Sequence, residues 1–228
     1  GKLDADSIKL VVERANLYEV SVNGKIVKAA EWARWLDPDF NAFEISEFIQ
    51  PGRNEVVLKA SPFSIFCELE PVYILGDFIV VPKEKGWQIE NKSDLNIGSW
   101  KAQGMPFYGQ TVSYTKTVNA KIGGDHVIHL PNWKGTVAEI IIDGEHRGII
   151  QSAPYEFKVH WPYGRYEVSV IVCGRNKNTL GPHHNFTTPG LVTPWSFKTA
   201  PNIQPSGNDY DLLDYGLLED FEIYRVGN

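Results

Sequence analysis

The sequence predicts an all-β protein of two β-sandwich domains, the first lacking its opening strands or borrowing them from elsewhere. Three observations predict it. Long helical periodicity is absent, and short runs of period-two alternation recur between Gly, Asn, Pro and Asp residues. Asn23-Gly24 and Asp143-Gly144 each follow an apolar run, and both turn positions tolerate the positive φ of a tight hairpin. The two halves of the chain also echo each other, which places a boundary between residues 84 and 85 and domains at 1–84 and 85–228.

Residues 7–12 and 19–22 alternate and read as strands; Asn23-Gly24 turns the chain and 25–27 resumes. Trp32 and Trp35, three apart, fit a helical turn that caps the first core. Residues 43–49 form a short apolar element, and Pro51-Gly52-Arg53-Asn54 turns the chain into the alternating strand 55–60. Residues 63–67 and 72–81 complete the first block, the latter so apolar that it reads as a strand covered on both faces. In the second block, strands are expected over 112–118, 127–130, 137–142, 147–151, 156–159 and 166–173, with a last one around Phe221, Ile223 and Tyr224. The stretch 174–210 is rich in Gly, Asn, Pro, His and Thr and reads as loop.

The repeat has a definite scheme. Tyr18–Gly24 is a strand with an Asx-Gly turn; a short apolar element at Phe43-Glu44-Ile45 and a Gly52-Arg53 turn lead into Glu55-Val56-Val57-Leu58. Val137–Gly144, Tyr155-Glu156-Phe157, Gly164-Arg165 and Glu167-Val168-Ser169-Val170 follow the same order. The second copy carries additional strands, within residues 86–130, ahead of its repeat. Many short strands with even turn spacing argue for jelly-roll sandwiches.

Composition narrows the function. Of 228 residues, 43% are hydrophobic, enough to bury a core, and the net charge is −6. No basic stripe alternates with aromatics, so nucleic acid is not an expected partner. No apolar run approaches the roughly 18 residues of a membrane helix, so no membrane partner is expected either. The start, Gly1-Lys2-Leu3-Asp4, has no signal-peptide core; an extracellular or periplasmic location after removal of a leader is favoured over a cytoplasmic one. Cys67 and Cys173 sit in apolar runs and read as buried free thiols. There is no Gly-x-Ser-x-Gly elbow and no Gly-rich phosphate loop, which removes support for nucleophilic hydrolase and nucleotide-binding readings.

Trp100-Lys101-Ala102-Gln103-Gly104-Met105-Pro106-Phe107-Tyr108-Gly109, followed by Tyr114, resembles the opening strands of the galactose-binding-like jelly roll. That domain accompanies catalytic barrels in β-galactosidase, β-glucuronidase and rhamnosidase-like glycoside hydrolases. Ile142-Asp143-Gly144, Gly148, Pro154-Tyr155 and Gly52-Arg53-Asn54-Glu55-Val56-Val57-Leu58 match further parts of the pattern, whereas Tyr166 stands where the pattern has Asn. Asn178-Thr179-Leu180-Gly181-Pro182-His183-His184 resembles large bacterial glycosidase-like proteins. The resemblance implies a non-catalytic carbohydrate-binding or accessory module for polysaccharide degradation, with an oligo- or polysaccharide and the parent enzyme's catalytic domain as partners. The alternatives are a structural interdomain sandwich without sugar affinity and a small polysaccharide-degrading enzyme.

Candidate site residues follow from chemistry. Sugar C–H faces stack on indole and phenol rings while hydroxyls take polar partners. Trp133 and Trp195 lie in polar or proline-bearing loops, and with Arg147, His183, His184 and Asn185 they are the expected carbohydrate site. Each Trp also reads as packing over a sandwich end, and His183-His184, a poor metal pair because adjacent residues point apart, read more readily as parts of a Gly-Pro turn than as ligand contacts. Glu68 with Glu70, and Glu219 with Asp220, are spaced like a glycosidase pair but read better as solvated carboxylates. Asp209, Asp211 and Asp214 offer hard oxygens that suit Ca²⁺, and the resemblance implies that a structural calcium could sit there; by themselves they read better as a solvated acidic loop, and no other cofactor is expected.

Overall fold

The computed structural model describes residues 7–28, 34–67, 70–185, 191–199 and 201–227. Apart from one four-residue α-helix, α1 (Lys177–Leu180), and short 3-10 turns, the regular structure is antiparallel strand. The protein is thus all-β, as its alternation predicts. The chain divides into two compact units, Gly1–Ile79 with Ile89–Ser93 and Val80–Gln88 with Asp94–Asn228.

In the first unit, β1 (Ile8–Glu13), β2 (Glu19–Val22), β3 (Lys25–Ile26), β4 (Arg34–Trp35), β5 (Asp37–Glu44), β6 (Val56–Lys59) and β7 (Tyr73–Gly76) form two sheets. Their orders are β4-β5-β1-β7 and β3-β2-β6. Ile8, Leu10 and Val12, on one face of β1, join Val20, Val22, Phe43 and Ile45 in a common core. Val11 points to the opposite face and is nevertheless fully buried. Its register partners there are Ala42 and Tyr73. The rings of Trp35, Phe40 and Tyr73 pack together on that face, with centroids 5.2, 5.7 and 6.0 Å apart.

Four expectations that touch this unit need correction. Trp35 lies in β4 rather than in a helical turn, because its ring packs on Phe40 and Tyr73 across the sheet; Trp32 lies outside the described residues. Residues 63–67 are a turn, not a strand. The Ser64 hydroxyl accepts from the Phe66 N–H at 3.3 Å and its carbonyl accepts from the Cys67 N–H at 3.0 Å, local bonds that compete with a ladder. The apolar run 72–81 is broken at Asp77 into β7 and β8 (Phe78–Pro82), and β8 forms a two-stranded ribbon with β9 (Trp87–Asn91). Both thiols are free, but Cys67 and Cys173 are partly exposed rather than buried.

The second unit contains β10 (Thr111–Ala120), β11 (Gly124–His129), β12 (Trp133–Lys134), β13 (Val137–Ile142), β14 (Glu145–Ile150), β15 (Glu156–Trp161), β16 (Gly164–Cys173), β17 (Gly216–Leu217) and β18 (Glu222–Arg225). They form sheets β10-β16-β13-β14 and β15-β11-β18, with the short pair β12-β17. One core joins them: Ile140, Ile142, Val168, Val170 and Val172 from the first sheet, Ile128 and Trp161 from the second, Leu217 from β17, and Trp100 and Phe221 from the connections. Each such apolar side chain withdrawn from water contributes about 1.5–3 kcal/mol before entropy is counted. The buried Trp100 indole donates to the Tyr114 hydroxyl at 2.7 Å, and the Leu217 N–H donates to the same oxygen at 3.3 Å. Tyr114 therefore satisfies two donors that burial would otherwise penalise.

The sequence repeat is reproduced in atomic detail. Asn23 and Asp143 take left-handed conformations with φ of 49° and 50°, followed by Gly24 and Gly144 at 76° and 80°. The Asn23 N–H donates to the Glu55 carbonyl at 2.8 Å, and the Glu55 N–H returns a bond to Asn23 Oδ1 at 2.9 Å. In the second unit, the Asp143 N–H donates to the Glu167 carbonyl at 2.9 Å, and the Glu167 N–H returns a bond to Asp143 Oδ1 at 2.8 Å. An Asx side chain is the reason Asn and Asp interchange here: either supplies the oxygen acceptor and tolerates positive φ. Strand by strand, β3-β2-β6 corresponds to β14-β13-β16, and β5-β1-β7 to β15-β11-β18.

Candidate functional site

One end of the second unit gathers most of the residues expected to meet a ligand. Cys173, at the end of β16, pairs with Thr111 of β10 on one side and with Val137 of β13 on the other. The loops before β10 and β13 and after β16 therefore emerge together. Their backbones approach closely: a Cβ added to Gly109 would lie 2.2 Å from the Arg175 carbonyl oxygen, so no larger residue fits.

Helix α1 is fixed there by side-chain bonds to backbone. Asn178, 1% exposed, donates through Nδ2 to the carbonyls of Pro106 (2.9 Å) and Leu213 (2.8 Å), and its Oδ1 accepts from the Leu213 N–H at 2.9 Å. Thr179 donates to the Phe107 carbonyl at 2.8 Å. Lys177 Nζ lies 2.9 Å from Asp211 Oδ2, both side chains nearly sealed from water, and it also donates to the Asp211 carbonyl. The Oδ2 contact is an ion pair and not an aligned hydrogen bond, since that oxygen accepts none. These residues tie 105–109, α1 and 211–213 into one rigid knot.

His183 follows from that knot. Its Nε2 lies 2.8 Å from the Asn178 carbonyl, which only accepts, so Nε2 carries the proton. Burial holds the imidazole below its ordinary pKa, with the Lys177 charge acting in the same direction, and its bond to the Asn178 carbonyl opposes the shift. The ring packs against Phe107 and Tyr210, with centroids 5.2 and 5.7 Å away, and Trp87 closes the cluster against both phenyl rings. His183 is thus a structural histidine in an aromatic cluster.

His184, Asn185 and Trp195 do come together. His184 Nε2 lies 3.0 Å from the Ser196 carbonyl, and Asn185 Nδ2 donates to the Leu191 carbonyl. Trp195 sits in a 3-10 turn over Pro194–Lys198, whose start is closed by a reciprocal capping box between Thr193 and Ser196. Its indole is 71% exposed, with Lys198 Nζ 3.9 Å from the ring centroid. Leu191, Val192 and Phe197 are exposed beside it in sequence. A wide indole held open on a pinned turn is positioned to stack on an apolar ligand face.

Trp133 and Arg147 do not join this group. Trp133, in β12, packs against the core and meets Tyr155 edge-on at 5.7 Å, and its indole nitrogen is buried without a hydrogen-bond partner. Arg147 lies on β14 just beyond the Asp143-Gly144 turn, at the opposite end of the sheet, and pairs with Glu145 at 2.9 Å. An alternating strand carries no information about which end of a sandwich a side chain will occupy, and this is why Arg147 was misplaced.

The three aspartates do not fit a calcium ion. Asp211 faces Lys177, Asp214 accepts from the Ser99 hydroxyl at 2.6 Å and lies 3.4 Å from Lys101 Nζ, and Asp209 ends the separate 3-10 turn Gly207–Asp209. Among the described residues no three His, Cys, Asp or Glu side chains converge as metal ligands. Two of the three carboxylates, Asp211 and Asp214, are spent on lysines. Glu219 and Asp220 are likewise occupied, by the Asn132 amide at 3.1 Å and by Lys116 at 2.7 Å; Glu68 lies outside the described residues.

Two ring clusters were not anticipated: Trp87-Phe107-His183-Tyr210, and Trp35-Phe40-Tyr73 in the first unit. The spacing of Phe40 two residues before Ala42, on a face already occupied by Val11, is the one sequence signal that marks the latter.

No protein-family profile matches the sequence, and no curated protein matches it. Among solved structures, it is similar to a rhamnosidase from Novosphingobium sp. PP1Y, at 12% identity and a TM-score of 0.37, over 94% of this chain and 21% of that one. The chain spans about a fifth of the rhamnosidase's length. The likeness is a loose one and bears on neither mechanism nor ligand.

Proposed function

We propose that the chain is a non-catalytic, carbohydrate-recognising region of a larger glycoside hydrolase, made of two jelly-roll sandwiches of the galactose-binding-like kind. The observation that carries the reading is Trp195: a mostly exposed indole on a turn pinned by a capping box, with His184 and Asn185 tied to the same loop. Stacking of a pyranose C–H face on the side of the indole that Lys198 does not cover would supply the apolar part of recognition, with the Lys198 ammonium over the other face. The signature run Trp100–Gly109 and Asn178–His184 support the fold assignment, since both serve to lock the loop end. The proposed site comprises His184, Asn185 and Trp195; Trp133 and Arg147 stand apart from it.

The test is affinity electrophoresis of the chain through gels holding galactomannan, xyloglucan, arabinogalactan or polygalacturonate. Retardation in at least one gel, lost on Trp195→Ala, is expected; unretarded migration in all four overturns the reading.

A second reading has its own observation. Phe63, Ile65 and Phe66 are 75%, 88% and 60% exposed within one short turn, an apolar knob more typical of a covered surface than of a free one. It favours a structural module that packs against another domain and has no affinity for sugar. In that case the gels show nothing, and Phe66→Ser improves solubility of the isolated chain.

A further inference from the structure

The two units share two three-stranded sets, β3-β2-β6 with β14-β13-β16 and β5-β1-β7 with β15-β11-β18, and differ in what flanks them: β4 stands beside β5 in the first unit, and β10 beside β16 in the second. In the second unit β16 is flanked by β13 and by β10. Its counterpart β6 pairs with β2, and among the described residues no strand pairs with its other edge. The register says which groups stand on that edge. Glu55 turns both its N–H and its carbonyl towards Asn23, next to β2, so by the alternation of an antiparallel ladder Val56 and Leu58 turn theirs the other way. In the second unit, Glu167 likewise faces Asp143, and Val168 and Val170 are the residues opposite Lys116 and Tyr114 of β10.

Burial agrees. Val168 and Val170 are 0% exposed, whereas Val56 and Leu58 are only half-buried and Val57 between them is exposed. The knob of Phe63, Ile65 and Phe66 begins just beyond β6. An uncovered ladder edge followed at once by three open apolar side chains is an arrangement that sandwiches ordinarily cover.

We infer that the free edge of β6 is a docking site for an extended antiparallel strand of β10 chemistry. Its occupant carries a large aromatic or branched residue opposite Leu58 and a long aliphatic-stemmed residue opposite Val56, as Tyr114 and Lys116 stand opposite Val170 and Val168. Backbone bonds to Val56 and Leu58 give the affinity and the inward side chains give the register, the usual division in β-strand addition. The occupant is a strand of that chemistry supplied from outside the described residues, and not the β10 of a second copy, which is already bound along its full ten residues to β16. This inference is independent of sugar binding.

The probe is a fluorescent peptide with the sequence of residues 109–120, added to the 228-residue chain and followed by anisotropy and by amide exchange. Saturable binding is expected, with slowed exchange at Val56 and Leu58 and no change at Glu55 or Val57. The same peptide, N-methylated at the amides that would face β6, should bind at least about tenfold more weakly, since each 1.4 kcal/mol of lost hydrogen bonding is a factor of ten. It leaves the protein untouched, so a folding defect cannot mimic the result. Leu58→Pro, which removes only an outward N–H, should do the same. Equal binding of the methylated peptide, no binding by about 1 mM, or exchange changes at Val168 and Val170 in place of Val56 and Leu58 would overturn the inference. So would self-association of the chain through the β6 edge, since it identifies a second copy as the occupant.

Discussion

Replacing Asn178 with Ala tests whether the knot around α1 holds the loop end together. The wild-type side chain is 1% exposed and serves three backbone groups: the carbonyls of Pro106 and Leu213 and the N–H of Leu213. Alanine removes all three partners at once. Each buried backbone group left without a partner costs about 1–3 kcal/mol. Water entering the space vacated by the amide recovers some of this, so a loss of about 3–5 kcal/mol is expected, at the top of the range for single substitutions. For a unit of this size, that corresponds to a fall in Tm of about 10 °C. With two units present, a single whole-chain transition is not a safe measure. Urea-dependent amide exchange at Val170 and Val172, in the core of the second unit, gives the stability of that unit by itself.

Asn178→Asp sharpens the test. It keeps an oxygen for the Leu213 N–H but turns the other, donating, end into an acceptor facing two carbonyl oxygens. If the donors matter as argued, Asp is at least as damaging as Ala at neutral pH. A loss below about 1 kcal/mol for Ala, or wild-type stability for Asp, would show that the loop end is held by something else.

Other predictions follow from single contacts. Tyr114→Phe deprives the Trp100 indole and the Leu217 N–H of their common acceptor without changing the ring, and should cost about 2–4 kcal/mol in the same exchange assay; a neutral result would mean water replaces the hydroxyl. His183 has a pKa depressed below 6.5 by burial, so the unfolded chain takes up a proton near that pH which the folded chain resists. Stability from this group is complete above about pH 6.5 and falls as the pH drops through the lowered folded value. His183→Gln should flatten that part of the Tm-against-pH curve between pH 7 and 5, and an unchanged slope would place the titration elsewhere. Trp195→Ala should leave stability within about 0.5 kcal/mol, as for an exposed site, while abolishing retardation in polysaccharide gels; a clear drop in Tm would recast the indole as a packing residue.

The strands and hairpins were legible in the sequence because their signals are local. Val168, Val170 and Val172 alternate, and the Asx-Gly pairs need positive φ whatever surrounds them. The repeat was legible for the same reason: Glu55 and Glu167 occupy equivalent places because each closes a bond pair with its Asx residue. One failure was local and the others were not. Phe63, Ile65 and Phe66 read as strand by apolarity, yet Ser64 satisfies the turn from within. The aspartates offer the oxygens of a cation site, yet Lys177 and Lys101, distant in sequence, take Asp211 and Asp214. Trp133 and Trp195 had equal claims as loop tryptophans; only the pairing of Trp133 with Leu217 in β12-β17 separates a core ring from an open one.

The residues that carry the family resemblance turn out to be those that build the scaffold. Trp100 is sealed beneath Tyr114, Asn178 clamps three backbone groups, and His183 is locked by the Asn178 carbonyl. None is free to touch a ligand without dismantling the loop end. A signature of this kind is therefore informative about architecture and silent about what the architecture holds. On the proposed reading, ligand choice lies in residues that the scaffold leaves unconstrained, and at this end those are Trp195 with its neighbours Leu191, Val192 and Phe197, all open to solvent. Exchanging 191–198 for a Gly-Ser loop of equal length should consequently erase polysaccharide retardation while leaving amide protection at Val170 unchanged. Loss of both together would mean that scaffold and recognition are not separable in this domain.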